Sequence, residues 1–306
     1  MKIPVRHHYI PQFILKNFCF DENKHLNYYD IKNNEFSVQE TSNVFMVKNL
    51  YRDEENYQDN PVQLENDLSK YETEMAKIFK EKFLESDTFG LTIEEDDRIK
   101  LFLAIMPFRS KATREQFGKF TEQDKQYYNL LKDGETFEDI WIRNLEKIVN
   151  CRSLNEVIKS KEIDEIMKVA IMRDSFGMFG RYFIVAERRG KEDFFISDCY
   201  PVTTFGEFDG GLKIPMFSYY PISPARVVIL TANGVEGAPR DMQDYEEGFL
   251  RKPVIVPNSN QFKFTVRKIY EDKVKIINQN MYEATKAIGG NIAFKDKERI
   301  SIFKEV

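Results

Sequence analysis

The stretch RYFIVAERRGKEDFFISD, residues 181–198, is where the chain changes its period. Apolar and β-branched residues fill both halves and Gly190-Lys191 divides them, so the pattern predicts two strands joined as a hairpin, with RRGK (188–191) as its solvated tip. Downstream, RVVILTA (226–232) reads as a buried strand, with Gly206, Gly210, Gly211, Pro215, Pro221 and Pro224 marking loops in between. Upstream the spacing is helical: Leu64, Leu68, Tyr71, Met75, Ile78, Phe79 and Phe83 recur at three- and four-residue steps. A second helix is predicted from Thr92, where Thr92 and Glu95 form a capping-box pattern, and Pro107 should kink or end it. Further helical patterns cover 113–131, 136–149 and 162–176.

At the other end, Pro11 opens a short helix, and HLNYYDI (25–31) and EFSVQE (35–40) flank Lys32-Asn33-Asn34 as a hairpin. The last element is predicted as a helix from about 258 to 288, capped by Gly289-Gly290 and packed back on the sheet. Together these patterns predict an α+β fold with a central helical bundle, a mainly antiparallel β-sheet and a long C-terminal helix. With no repeat, linker or composition break, 1–306 reads as a single composite domain: a helix and β unit at 1–52, a helical region at 61–177, and a sheet plus helix at 180–306.

The 306 residues, 42% of them hydrophobic, suffice for a sizeable core, and the 26 Phe and 15 Tyr are read as its filling. Three cysteines without a CxxC pair fit neither a disulfide framework nor a thiolate zinc site, and point to a reducing compartment. Arg6, His7 and His8 interrupt any signal-peptide core, and no apolar run reaches about 18 residues, so a cytoplasmic chain with no membrane crossing is expected. A net charge of −5 argues against a broad nucleic-acid-binding surface, because such binding comes mainly from neutralising phosphates.

Chemistry is carried by few residues. His7 and His8, two of three histidines, lie in the extended lead-in to the helix opened by Pro11, where free N–H groups favour anions. Neighbouring side chains in extended backbone point to opposite faces, so one is expected to act and the other to pack. His8 is the candidate base or metal ligand; the alternative has His8 binding a backbone carbonyl while His7 is at the surface. Gln12 and His7 are candidate substrate-binding residues. Glu65 and Glu72, seven apart on one predicted helix, are read either as acidic ligands or as solvated charges paired with Lys70 or Lys77. Asp198, at a strand end, is either a displayed acid or an Asx turn. A set of His8, Glu72 and Asp198 would suit a divalent metal such as Zn²⁺ or Mn²⁺. Arg109, with Lys111 and Arg114 nearby, is either a phosphate clamp or one half of a buried ion pair with Glu72.

The run RHHYIPQFILKNF (6–18) resembles the opening motif of the bacterial domain of unknown function 4238 family. Other similar parts are NLY (49–51), the acidic helix with Glu65 and Glu72, Arg109 after a long apolar helix, FFISD ending at Asp198, PISP (221–224) and Asn280, which together cover most of the chain. Two departures stand out: the family's SD-x-P element is one residue longer here, Ser197-Asp198-Cys199-Tyr200-Pro201, and the usual Trp opening that hairpin is missing near Tyr182. The resemblance implies a shared architecture and a shared site, and no reaction.

The absence of a Walker phosphate loop, a G-x-G-x-x-G, an H-E-x-x-H, a G-x-S-x-G elbow beside Ser197 and a kinase signature removes those enzyme classes. Two expectations remain. The first is a hydrolase acting on a phosphate-containing substrate, nucleic acid or nucleotide, with His8, Glu72 and Asp198 as catalytic or metal-binding groups and Arg109 as clamp. The second is a non-catalytic binding protein in which the His-His motif is structural.

Overall fold

The computed structural model describes residues 6–52, 54, 58–110, 137–165, 167–168, 171, 182–208, 212–231 and 252–304. The predicted helix at 113–131, together with Lys111, Arg114, Gly210 and Gly211, lies outside them. In chain order the first elements are β1 (Arg6–His8), α1 (Gln12–Leu15), β2 (His25–Asp30), β3 (Glu35–Glu40), β4 (Met46–Lys48), α2 (Gln63–Ile78) and β5 (Thr88–Thr92). Next come α3 (Ile93–Phe108), α4 (Phe137–Asn150), α5 (Leu154–Lys159), β6 (Tyr182–Arg188), β7 (Ile196–Ser197) and β8 (Val202–Phe208). The series closes with β9 (Leu212–Pro221), β10 (Arg226–Thr231), β11 (Val254–Ile255), β12 (Gln261–Thr265), β13 (Arg267–Ile269), α6 (Glu271–Ala287) and β14 (Asn291–Phe294). The fold is mixed α+β with mainly antiparallel sheets.

The backbone gathers into two compact units, each assembled from separated stretches: Met1–Ile10, Met46–Met75 and Glu94–Met178 form one, and Pro11–Phe45, Ala76–Ile93 and Phe179–Val306 the other. In the first unit, β1 pairs antiparallel with β4, placing His7 opposite Val47 and His8 opposite Met46. Leu64, Leu68, Tyr71 and Met75 form the buried stripe of α2, at the spacing of a helix with one apolar face. Helix α3 is different: every residue from Leu101 to Met106 is buried, the pattern of a helix enclosed on all sides. It ends at Phe108, one residue past Pro107, whose ring cannot stay in a continuing helix without cost.

In the second unit, a five-stranded sheet runs β13-β6-β10-β9-β8, a four-stranded one β3-β2-β14-β7, and a three-stranded one β11-β12-β5. The β2–β3 hairpin matches expectation, with Asp30 opposite Glu35 and Asn34 taking the left-handed φ of 54° that the turn needs. Helix α6 lays Val274, Ile277 and Met281 into a core shared with Phe194, Ile229, Phe294 and Phe303. Gly289 stops the helix at φ 60°, with Gly289 N–H donating to Lys286 and Gly290 N–H to Thr285, as the Gly-Gly pair predicts.

Several expectations are corrected, among them the loop markers Gly206, Pro215 and Pro221, which lie inside β8 and β9. The stretch 181–198 does not fold as a hairpin: β6 pairs with β10 and, in parallel, with β13, whereas β7 pairs with β14. Residues 188–191 are no hairpin tip either, though Arg189 and Lys191 are exposed. Arg188 and Arg189 N–H groups donate to Ala225 and Ile269 at 2.9 Å each, and the Arg188 guanidinium reaches the buried Asp193 at 3.0 Å. Likewise, the final helix starts at Glu271 rather than near 258, because QFKFT alternates with a period of two. That alternation seats Phe264 between Phe89 and Phe183, with both ring centroids 5.1 Å away, an arrangement worth about 0.5–1.5 kcal/mol per pair beyond area burial.

Candidate functional site

Strand β1 separates the two histidines as its pleat requires, and burial decides their roles. His7 is fully buried, and its Nδ1 accepts the Tyr51 N–H at 2.8 Å, so a neutral ring carries its proton on Nε2. The reading with His7 at the surface is therefore corrected. Its ring stacks on Tyr51 at 5.6 Å, and Tyr51 stacks in turn on Trp141 at 5.8 Å. Trp141 is anchored by its indole N–H donating to Phe108. His8 is half-buried, and its carbonyl accepts from Arg109 Nη2 at 2.6 Å.

Arg109, immediately after α3, is only 1% exposed, and its donors are committed internally. Nη1 pairs with Glu72 Oε1 at 2.6 Å, Nη2 takes the His8 carbonyl, and Nε donates to the Tyr51 hydroxyl at 3.3 Å. That hydroxyl itself donates to the Arg109 carbonyl at 2.8 Å. Burial opposes the guanidinium charge, but Tyr51 and Glu72 more than offset it, so the proton is held above the ordinary arginine range. Burial likewise pushes the Tyr51 phenol up to about 12. The ion-pair alternative for Arg109 and Glu72 is thus the arrangement observed. Lys70 binds Asp67 at 2.9 Å instead of a glutamate.

Glu65 completes the cluster from the first turn of α2. Its Oε2 is buried without a hydrogen-bond partner among the described residues. Burial pushes its carboxyl up to about 8; Glu72 adds to the rise and Arg109 opposes it. Burial therefore favours the protonated form of Glu65 beside the Glu72–Arg109 pair.

The structure brings His7, His8, Glu65, Glu72 and Arg109 together in the first unit, and places Gln12 and Asp198 in the second. Asp198 Oδ2 accepts from the Asn291 backbone N–H at 2.8 Å and from its side-chain amide at 2.9 Å, clasping the end of β7 to β14. These two bonds tie one strand to the other. Gln12 donates to the Thr41 carbonyl at 2.7 Å. Among the described residues no three His, Cys, Asp or Glu side chains are grouped so as to hold a metal ion. No described helix is long and apolar enough to cross a membrane.

Tyr51 and Trp141 are the members of the cluster that sequence reasoning did not select. Tyr51 was visible as the last residue of NLY, where Asn49 takes a left-handed φ of 57°; Trp141 carried no local signal beyond its helical stripe.

No curated protein and no solved structure matches this chain. The profile of a family described as a protein of unknown function, DUF4238, matches residues 6–298, nearly the whole length, and the chain belongs to that family.

Proposed function

We propose that this protein is a hydrolase acting on a phosphate-containing substrate, with Glu65 as its acid–base residue. The observation that carries the reading is the Glu65 carboxyl, raised to about 8 and holding one oxygen with no partner in a charged, buried cluster. Carboxyls tuned towards neutral pH are suited to delivering and recovering a proton, and strongly shifted groups of this kind concentrate at functional sites. A neutral Glu65 beside a paired Glu72 and Arg109 keeps the cluster from being net negative, so a phosphoryl group meets no barrier of like charge. His8 is tied to the cluster through its carbonyl, and its half-buried side chain lies on the face of β1 opposite to His7. The net charge of −5 favours a nucleotide over a long polyanion. No step is assigned to a metal ion, because Glu72 and Asp198 each commit an oxygen internally, to Arg109 and to Asn291.

The test is turnover of p-nitrophenyl phosphate, bis-p-nitrophenyl phosphate and the nucleoside triphosphates by the wild-type chain and Glu65→Gln. Loss of at least about 100-fold in kcat, with a melting temperature no lower than that of the wild-type chain, is the expected result. Full activity in Glu65→Gln would overturn it.

A second reading has its own support. His7 is sealed beneath Tyr51, and every contact of Arg109 given above is internal, as a framework role for the motif requires. Here the protein binds a ligand or partner without turning it over, and the same panel yields no product from the wild-type chain.

A further inference from the structure

The second unit contains a cleft of about 600 Å³ bordered by Lys16, Lys24, His25, Gln12, Glu40 and Ser42. Its organising feature is the 21–25 turn. Asp21 Oδ1 accepts the His25 backbone N–H at 2.9 Å, while Oδ2 meets the His25 ring at Nδ1, 2.7 Å away. The carboxylate thereby fixes both the backbone and the ring, and leaves Nε2 with no hydrogen-bond partner among the described residues. Lys24, just before it, adopts φ 63°, a left-handed conformation that a lysine rarely takes and that surrounding structure must hold.

The lining carries two lysines, Lys16 and Lys24, and two glutamates, Glu22 and Glu40. Lys16 and Lys24 are exposed and have no ion-pair partner among the described residues. Glu40 lies directly across from His25 in the β2–β3 pair and accepts a hydrogen bond from Ser42 Oγ at 3.2 Å. Two free ammonium groups and an oriented imidazole suit the oxygens of a phosphomonoester, whereas a carboxylate with a hydroxyl beside it suits the hydroxyl groups of a sugar. The volume matches a ligand of nucleotide size.

We propose that this cleft is a binding site for a small hydroxyl-bearing phosphomonoester, its phosphate held by Lys16, Lys24 and His25 and its hydroxyls by Glu40 and Ser42. Asp21 is the positioning residue for the imidazole. The site is separate from the Glu65 cluster and stands whether or not that cluster hydrolyses anything.

Isothermal titration calorimetry of the full chain with AMP, ribose 5-phosphate and inorganic phosphate tests it. At least one ester should bind 10-fold or more tightly than inorganic phosphate, and lose at least 10-fold in affinity in the Lys16→Ala/Lys24→Ala double variant and in His25→Ala. Glu65→Gln should bind it as the wild-type chain does, which separates failure of this site from failure of the hydrolase reading. The His25 ring proton signals should also shift on titration with the ester in the wild-type chain. The proposal is overturned if neither ester binds, if inorganic phosphate binds as tightly as the esters, or if the variants keep wild-type affinity.

Discussion

The Arg109 cluster of the first unit and the His25 turn of the second are built from the same kind of pair, a basic side chain against a carboxylate, at 2.6 Å and 2.7 Å. Their surroundings differ. The Arg109 side chain is 2% exposed, whereas His25 and Asp21 are each about a third exposed, at 31% and 32%. In the first case water cannot replace a partner lost to the guanidinium, although Glu72 is 20% exposed, so geometry and stability are bound together at Arg109; in the second it can, so the pair orients a ring without holding the fold. The comparison teaches that a short ion pair says little by itself about its role, and that burial decides.

The largest effect should come from Arg109→Ala. It strands the Glu72 carboxylate and deprives the His8 carbonyl of its donor, and the loss of one partner of a buried pair costs about 3–5 kcal/mol. Urea unfolding followed by Trp141 emission reads this directly, since Trp141 is the chain's one tryptophan and stacks on Tyr51. A change under about 1 kcal/mol, the scale of a surface pair, would erase the contrast.

Next is a pH effect from Glu65. Its folded carboxyl is raised from 4.5 to about 8, so between those values the folded chain binds a proton that the unfolded chain has released. Unfolding free energy therefore falls as pH rises through this window: the contribution is complete below pH 4.5 and lost above about 8. Melting curves from pH 5 to 9 should show that decline in the wild-type chain and a flatter profile in Glu65→Gln. Parallel profiles would mean that the carboxyl is wetter than its position implies.

The smallest effect should be Asp21→Asn on stability. Exposed pairs contribute little, so its urea midpoint should coincide with that of the wild-type chain. A clear drop would place the His25 turn with the sealed cluster and sharpen the comparison in the opposite direction.

Much of this was legible from local pattern, and the misreadings share a cause. The stripe of α2, the β2–β3 turn and the Gly289 cap are decided within a few residues, so their signals were sufficient. Residues 181–198 also carried a correct strand period in their first half, but a period does not name its partner. Val227–Leu230 compete for the same edge of β6, and Ala225 and Ile269 take the N–H groups of Arg188 and Arg189. The alternation of Phe262 and Phe264 delays the onset of α6, and the stacks on Phe183 and Phe89 that make it consequential join residues about eighty and one hundred and seventy positions away.

The site divides in the same way. The sequence alone determined the α+β character, the family and the rule that His7 and His8 face opposite sides, since all three follow from neighbouring residues or a contiguous motif. Tertiary structure decided which histidine is sealed, that Arg109 meets Glu72, that Glu65 loses its water, and that Asp198 joins Asn291. These are contacts between stretches 37 to 93 positions apart, and the balance of desolvation against pairing that sets each group's charge exists only once those stretches have packed.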